Sequence, residues 1–242
     1  MTRPRLAEFL SAFRETANAN WQDFQPETLA DFRARGVGGV TWAAGTRWRP
    51  GLAEDQIAEI EESNGIDFPA DYRAFLSILN APDRPAHRYG YAGAKLLRAP
   101  DEHVFTDWPG NPRAQEDYLN HIIEGILFDV ENNGVWFDTW GPRTSSAEAR
   151  RDRVTELARD APRLVRLCGH RFLISGTGLS PDPVISAVQT DFIVYAWSIE
   201  ECLSKDFPSF APALPVPELS EETTRLHFNR LGAIRFWGQF LS

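Results

Sequence analysis

Cys168 and His170 stand two residues apart, and these are the residue types from which a thiol nucleophile and its base are made. On a strand, alternation would put both side chains on one face. Neighbours on a single strand are poorly oriented for proton transfer, so the competing reading is a buried thiol beside a hydrogen-bonded imidazole. A second group, Asp129, Glu131 and Asp138, lies close to Trp136 and Trp140. Paired carboxylates are the equipment of general acid–base chemistry. The same residues also read as a solvated acidic sheet face, or as a partner surface on which aromatic anchors are ringed by carboxylates. The last reading makes Asp129, Glu131, Trp136, Asp138 and Trp140 the candidate partner-binding residues and leaves no residue with a catalytic role. The histidines, His87, His103, His121, His170 and His227, form no H-E-x-x-H motif. With neither a C-x-x-C pair nor a phosphate-binding G-x-x-x-x-G-K-[ST] loop, no metal or cofactor is expected.

The elements that must position these residues follow from periodicity. Residues 126–130 read as a strand, Asn132, Asn133 and Gly134 as a tight turn, and residues 135–140 as the returning strand of a hairpin. Ser145 and Glu148 have capping-box spacing and would open a helix with Val154, Leu157 and Ala158 on its inner side; Ser198 and Glu201 would open another that ends by Phe207. Residues 164–167 and 172–174 suggest two strands around Cys168-Gly169-His170, and residues 183–195 two more around Gln189 and Thr190. Upstream, Leu6, Phe9, Leu10 and Phe13 recur at helical spacing, and Pro26 and Gly36 bracket a second helix. Residues 37–50 read as a short strand or ordered loop. Pro82, Pro85, Pro100, Pro109 and Pro112 imply loops around brief strands near 89–97 and 103–106.

The stretch 52–80 encodes two helices joined by a corner. Ile57 and Ile60 share a face of the first; Asn64 and Gly65 end it, both tolerating the left-handed conformation of a C-terminal cap. Pro69 suits the first turn of the second, whose stripe is Phe68, Tyr72, Phe75, Leu76 and Leu79. Asn80 closes it. This arrangement resembles the N-terminal signature of the SUKH superfamily of Smi/Knr-type cell-wall regulators and bacterial immunity proteins, through Gly65, Ile66, Phe68, Pro69, Asp71, Tyr72, Phe75, Leu76 and Asn80. Ala53 departs from the Thr or Ser common there, and alanine has no side-chain acceptor for a cap. The resemblance continues through Trp140-Gly141-Pro142, residues 161–165, Gly169-His170-Arg171 and residues 183–195, and covers roughly residues 40–205.

The fold expected is therefore α+β: an antiparallel or mixed central sheet with helices packed against it. Three parts are anticipated: a helical extension over 1–38, a SUKH-like domain over 39–207, and a proline-rich connector with an apolar tail over 208–242 that docks back on the domain. The 242 residues, 43% of them hydrophobic and with eight Trp and sixteen Phe, suffice for an aromatic-rich core. Two cysteines are too few for a disulfide framework.

A net charge of −9 opposes general nucleic-acid binding, which needs cationic surface to displace phosphate counterions, and suits a basic protein partner. The same charge also serves plain solubility. No apolar run reaches membrane-spanning length, and a cytoplasmic location is expected. The resemblance implies a non-catalytic immunity protein that binds and neutralises a cognate toxin domain, often a nuclease. The other branch of the superfamily implies a regulatory scaffold, and an enzyme using the acidic hairpin or Cys168 with His170 is the third alternative.

Overall fold

The computed structural model describes residues 4–111 and 113–241. Pro112 and the extreme ends of the chain lie outside the described residues. Among the described residues the architecture is α+β. It opens with α1 (Pro4–Gln22) and α2 (Leu29–Arg35), then β1 (Gly39–Thr41) and the helix pair α3 (Glu54–Asn64) and α4 (Ala70–Ile78). The hairpin β2 (Ala86–Ala92) and β3 (Lys95–Glu102) precedes a long helix, α5 (Arg113–Asn132), and α6 (Ala147–Arg159). Four strands follow, β4 (Leu164–Cys168), β5 (Arg171–Ile174), β6 (Val184–Val188) and β7 (Asp191–Ala196), and then α7 (Ile199–Asp206) and α8 (Glu221–Gly232). The strands divide between two antiparallel sheets, β1-β2-β3 and β4-β5-β6-β7, each in sequential order.

The four-stranded sheet lies between two apolar clusters, which explains its composition. Along β4, Val165 and Leu167 enter one cluster while Leu164 enters the other; Leu173 and Val184 are set against Phe172, Ile174 and Ile185 in the same way. A sheet covered on both faces requires continuous apolar runs rather than alternation, and β4 is buried throughout. The first cluster joins α1, α3 and α4 to Trp42, Trp48, Phe105, Phe207 and Phe210. The second packs α5 and α6 against the chain end, where Trp237 and Phe240 stack on Phe192 and Leu241 bridges to it.

Local signals account for most helix ends. Gly65 adopts φ 59°, ending α3, and Asn80 adopts φ 56° just beyond α4. The side chain of Ala53 makes no capping bond; instead Gln56 Oε1 accepts from the Ala53 N–H, at 2.9 Å. Gly36 ends α2, but Thr28 rather than Pro26 opens it, through a reciprocal capping box with Asp31. Helix α6 begins one residue later than the Ser145 spacing indicates: Ser146 is the cap, accepting from the Ala149 N–H at 3.2 Å. Ser198 caps α7 as expected, and Phe207 ends it.

Two expectations are corrected. The segment expected as one strand near 89–97 is a hairpin, β2 and β3, that reverses at Gly93 with φ 60°; residues 103–106 contribute only a bridge between Phe105 and Cys168. The hairpin expected over 126–140 does not form. Residues 126–130 are the last turns of α5, and 133–137 are a loop leading to a short 3₁₀ turn, Asp138–Trp140. Ile122, Ile126, Leu127 and Val130 make the buried stripe of a helix, at spacings of three and four. Gly125 sits inside this helix, where a Cβ would come within 2.9 Å of Gln189 Cγ on the β6–β7 turn.

Candidate functional site

The residues of the anticipated acidic and aromatic face occupy different environments. Asp129 is buried and accepts from Asn133 Nδ2 at 2.5 Å, from the Thr190 N–H at 3.2 Å and from the Thr190 hydroxyl at 2.7 Å. It fastens the end of α5 to the β6–β7 turn. Trp140 is also buried; its Nε1 donates to Gln239 Oε1 at 2.5 Å, and its ring stacks on Phe236 at 5.6 Å. Trp136 donates to the Gly141 carbonyl and packs edge-on against Trp140. Glu131 is held by a bidentate contact with Arg150, which keeps its carboxyl below the usual carboxylate range. Asp138 is exposed. Asp129 and Trp140 thus face inward, where they brace the fold.

A different feature lies on the surface. Between the two sheets, walled on one side by α5 and closed by the end of α7, lies an open cleft of about 1100 Å³. Charged groups on and just behind its walls form two sets. In the first, Glu102 receives Arg88 Nη1 at 3.2 Å, Arg166 Nη2 at 3.4 Å and the Tyr118 hydroxyl. Arg166 is fully buried; Nε donates to the Gly169 carbonyl at 2.8 Å and Nη1 to the His103 carbonyl at 3.0 Å. Burial lowers its pKa from the free guanidinium value. Burial also pushes the Tyr118 phenol up to about 12, against the opposing pull of the Arg166 cation.

The second set centres on Arg171. Its Nε and Nη2 donate to Asp206, at 3.1 and 3.4 Å, and Nη1 to the Ser186 hydroxyl at 2.9 Å. The guanidinium lies 3.5 Å from the Tyr195 ring centroid, and the Tyr195 hydroxyl donates to Asp206 Oδ1 at 2.5 Å. Each set joins the end of a strand to a helix, so the cleft walls are braced by charge-assisted bonds as well as by packing.

Cys168 and His170 do not share a strand face. Cys168 ends β4 with its side chain buried, while Gly169 and His170 make the turn into β5. Gly169 takes φ 50°, and this turn carries His170 to the exposed rim of the cleft. There the loss of hydration, and next to it the Arg171 cation, lower the imidazole pKa. The thiol neighbour of Cys168 is Cys202 on α7. Among the described residues, the groups of three His, Cys, Asp or Glu side chains close enough to hold one ion reduce to Cys168, Cys202 and Asp206. Sequence reading missed this trio because its first member is a strand residue far from the other two. The visible signal was Cys202 and Asp206 four apart on one helix face.

Comparison of the chain with protein-family models, with curated proteins and with solved structures gives no match. The resemblance to the SUKH superfamily is an expectation from the residues quoted above, and no match supports it. No helix among the described residues is long and apolar enough to cross a membrane.

Proposed function

We propose that the chain is a non-catalytic immunity protein whose inter-sheet cleft receives a segment of a basic toxin domain, with a nuclease as the partner class implied by the SUKH-like residues. The observation that carries this reading is the cleft itself. Its volume of about 1100 Å³ is at the upper end of small-ligand pockets and suits a loop or side-chain cluster of another protein. Its charged lining groups, Glu102 with Arg88, and Asp206 with Arg171, are committed to each other. Fixed, mutually satisfied groups present a preorganised polar surface, the arrangement that lowers the entropic cost of association. Asp117 and His121 on α5 add uncommitted polar side chains to the wall. The net charge of −9 supplies long-range attraction for a basic partner.

Co-expression with a basic toxin domain encoded beside this gene is the direct test. Protected cells and a complex that survives size-exclusion chromatography are expected; unprotected cells with no complex would remove the immunity reading. The surface is tested separately. Asp117→Lys in the cleft should slow association more than Asp138→Lys outside it, and the opposite order would move the interface to the loop after α5.

A further inference from the structure

We infer that Cys168, Cys202 and Asp206 form a binding site for a thiolate-preferring divalent cation, with zinc as the ion the donor set selects. The two sulfurs and a carboxylate oxygen all lie within 4.8 Å of one another. Around a tetrahedral zinc, with Zn–S near 2.3 Å and Zn–O near 2.0 Å, such donors stand roughly 3.5–3.8 Å apart, so small side-chain rotations close the site. The donors come from rigid elements. Helix α7 presents Cys202 and Asp206 from successive turns, and Cys168 is delivered by the irregular step that ends β4 opposite Arg171. Sulfur, sulfur and carboxylate favour zinc over magnesium or calcium, which require oxygen shells.

The surroundings complete the chemistry. Two thiolates and a carboxylate exceed the charge of a divalent ion by one, and the Arg171 guanidinium on Asp206 supplies the balancing cation. Tyr195 and Arg171 Nη2 use Asp206 Oδ1, while Arg171 Nε uses Oδ2, leaving acceptor capacity on Oδ2 for a metal. A ligating carboxylate steadied by outer hydrogen bonds is the usual support for such a centre. Cys168 and Asp206 also line the cleft, which gives the ion a route in. Both thiols must lose a proton to ligate, so binding releases protons and weakens in acid. The site borders the cleft proposed to receive the partner, but it follows from the donor geometry alone, and metal binding by the isolated protein does not depend on that reading.

The full-length protein, reduced and stripped of metal with a chelator, is titrated with Co2+ as a spectroscopic probe. One equivalent should give the visible bands of tetrahedral cobalt with thiolate charge transfer, and Zn2+ should bleach them. Cys202→Ser and Asp206→Asn should each weaken binding by more than about 100-fold, beyond the loss typical of an outer-shell change. Since a buried substitution can unfold the chain, a second measurement uses the unaltered protein: Zn2+ should slow alkylation of both thiols, whereas Mg2+ should not. Octahedral or absent cobalt bands, undiminished binding by Cys202→Ser, or thiols that react at the same rate with and without Zn2+ would each overturn the assignment.

Discussion

The guanidinium of Arg166 lies over the ring of Tyr118, its central carbon 3.6 Å from the ring centroid. This contact joins β4 to α5, and the hydrogen bonds from the same side chain to the His103 and Gly169 carbonyls tie both to the end of β3 and to the β4–β5 turn. A planar fork is needed to satisfy these directions at once, and lysine does not provide one. Arg166→Met should therefore cost about 3–5 kcal/mol, the loss expected when one partner of a buried charged network is removed. Arg166→Lys should recover little of it. Urea unfolding midpoints measure both, and a Lys variant as stable as the parent would show that charge alone suffices.

Asp129 separates a bracing role from a docking role. Asp129→Ala strips the Thr190 N–H and hydroxyl of their acceptor in a partly buried setting and should lower stability by about 1–2 kcal/mol. Asp138→Ala, at an exposed position, should change it by no more than about 0.5 kcal/mol. Thermal denaturation of the two variants side by side tests the contrast.

Trp140 anchors the end of the chain. Its ring meets Phe236 and Phe240, and its Nε1 reaches Gln239. Trp140→Ala should cost about 3–5 kcal/mol and loosen the last turn. Limited proteolysis of the variant should cut first within 208–241, and a protease-resistant tail would refute the anchoring role.

The imidazoles of His170 and His227 both have lowered pKa values, each through loss of hydration first and then a neighbouring arginine, Arg171 or Arg230. Asp206 and Glu102 oppose the shift at His170, while Arg166 adds to it. Because the folded pKa lies below the unfolded value of 6.5, the unfolded chain takes up protons first as the pH falls. Stability should thus be undiminished by these groups above neutrality and fall as the pH passes below 6.5 towards the folded values. His170→Asn should flatten part of this decline in melting temperature. The carboxylates lowered by arginine partners, among them Glu124 and Glu131, act in a more acidic window, so the two effects separate.

The helix pair α3 and α4 was legible because its boundaries are local: Gly65 and Asn80 take the left-handed conformations their types permit, and Pro69 precedes the first turn. Strands β4 to β7 were legible because short apolar runs were bounded by turn residues. Helix α5 was not, since Gly125 looks like a breaker until Gln189 is seen against it. Pairings across long separations left no local trace. The Asp182 carboxylate accepts the Asp71 N–H at 3.0 Å and Asp71 returns the bond, across 111 residues. The cleft is likewise assembled from segments between Gly38 and Phe207, and no single window of sequence contains it.

The aromatic cluster around α1 has a consequence for the newborn chain. Trp21 packs against Phe210 at 5.0 Å, and Phe13 against both Phe207 and Phe210. A ribosome adding about 5–20 residues each second needs roughly 10–40 s to travel from the end of this helix to Phe210. Throughout that interval Trp42 and Trp48 can cover only part of the apolar side of α1, and the rest stays open until the last rings of its own core emerge.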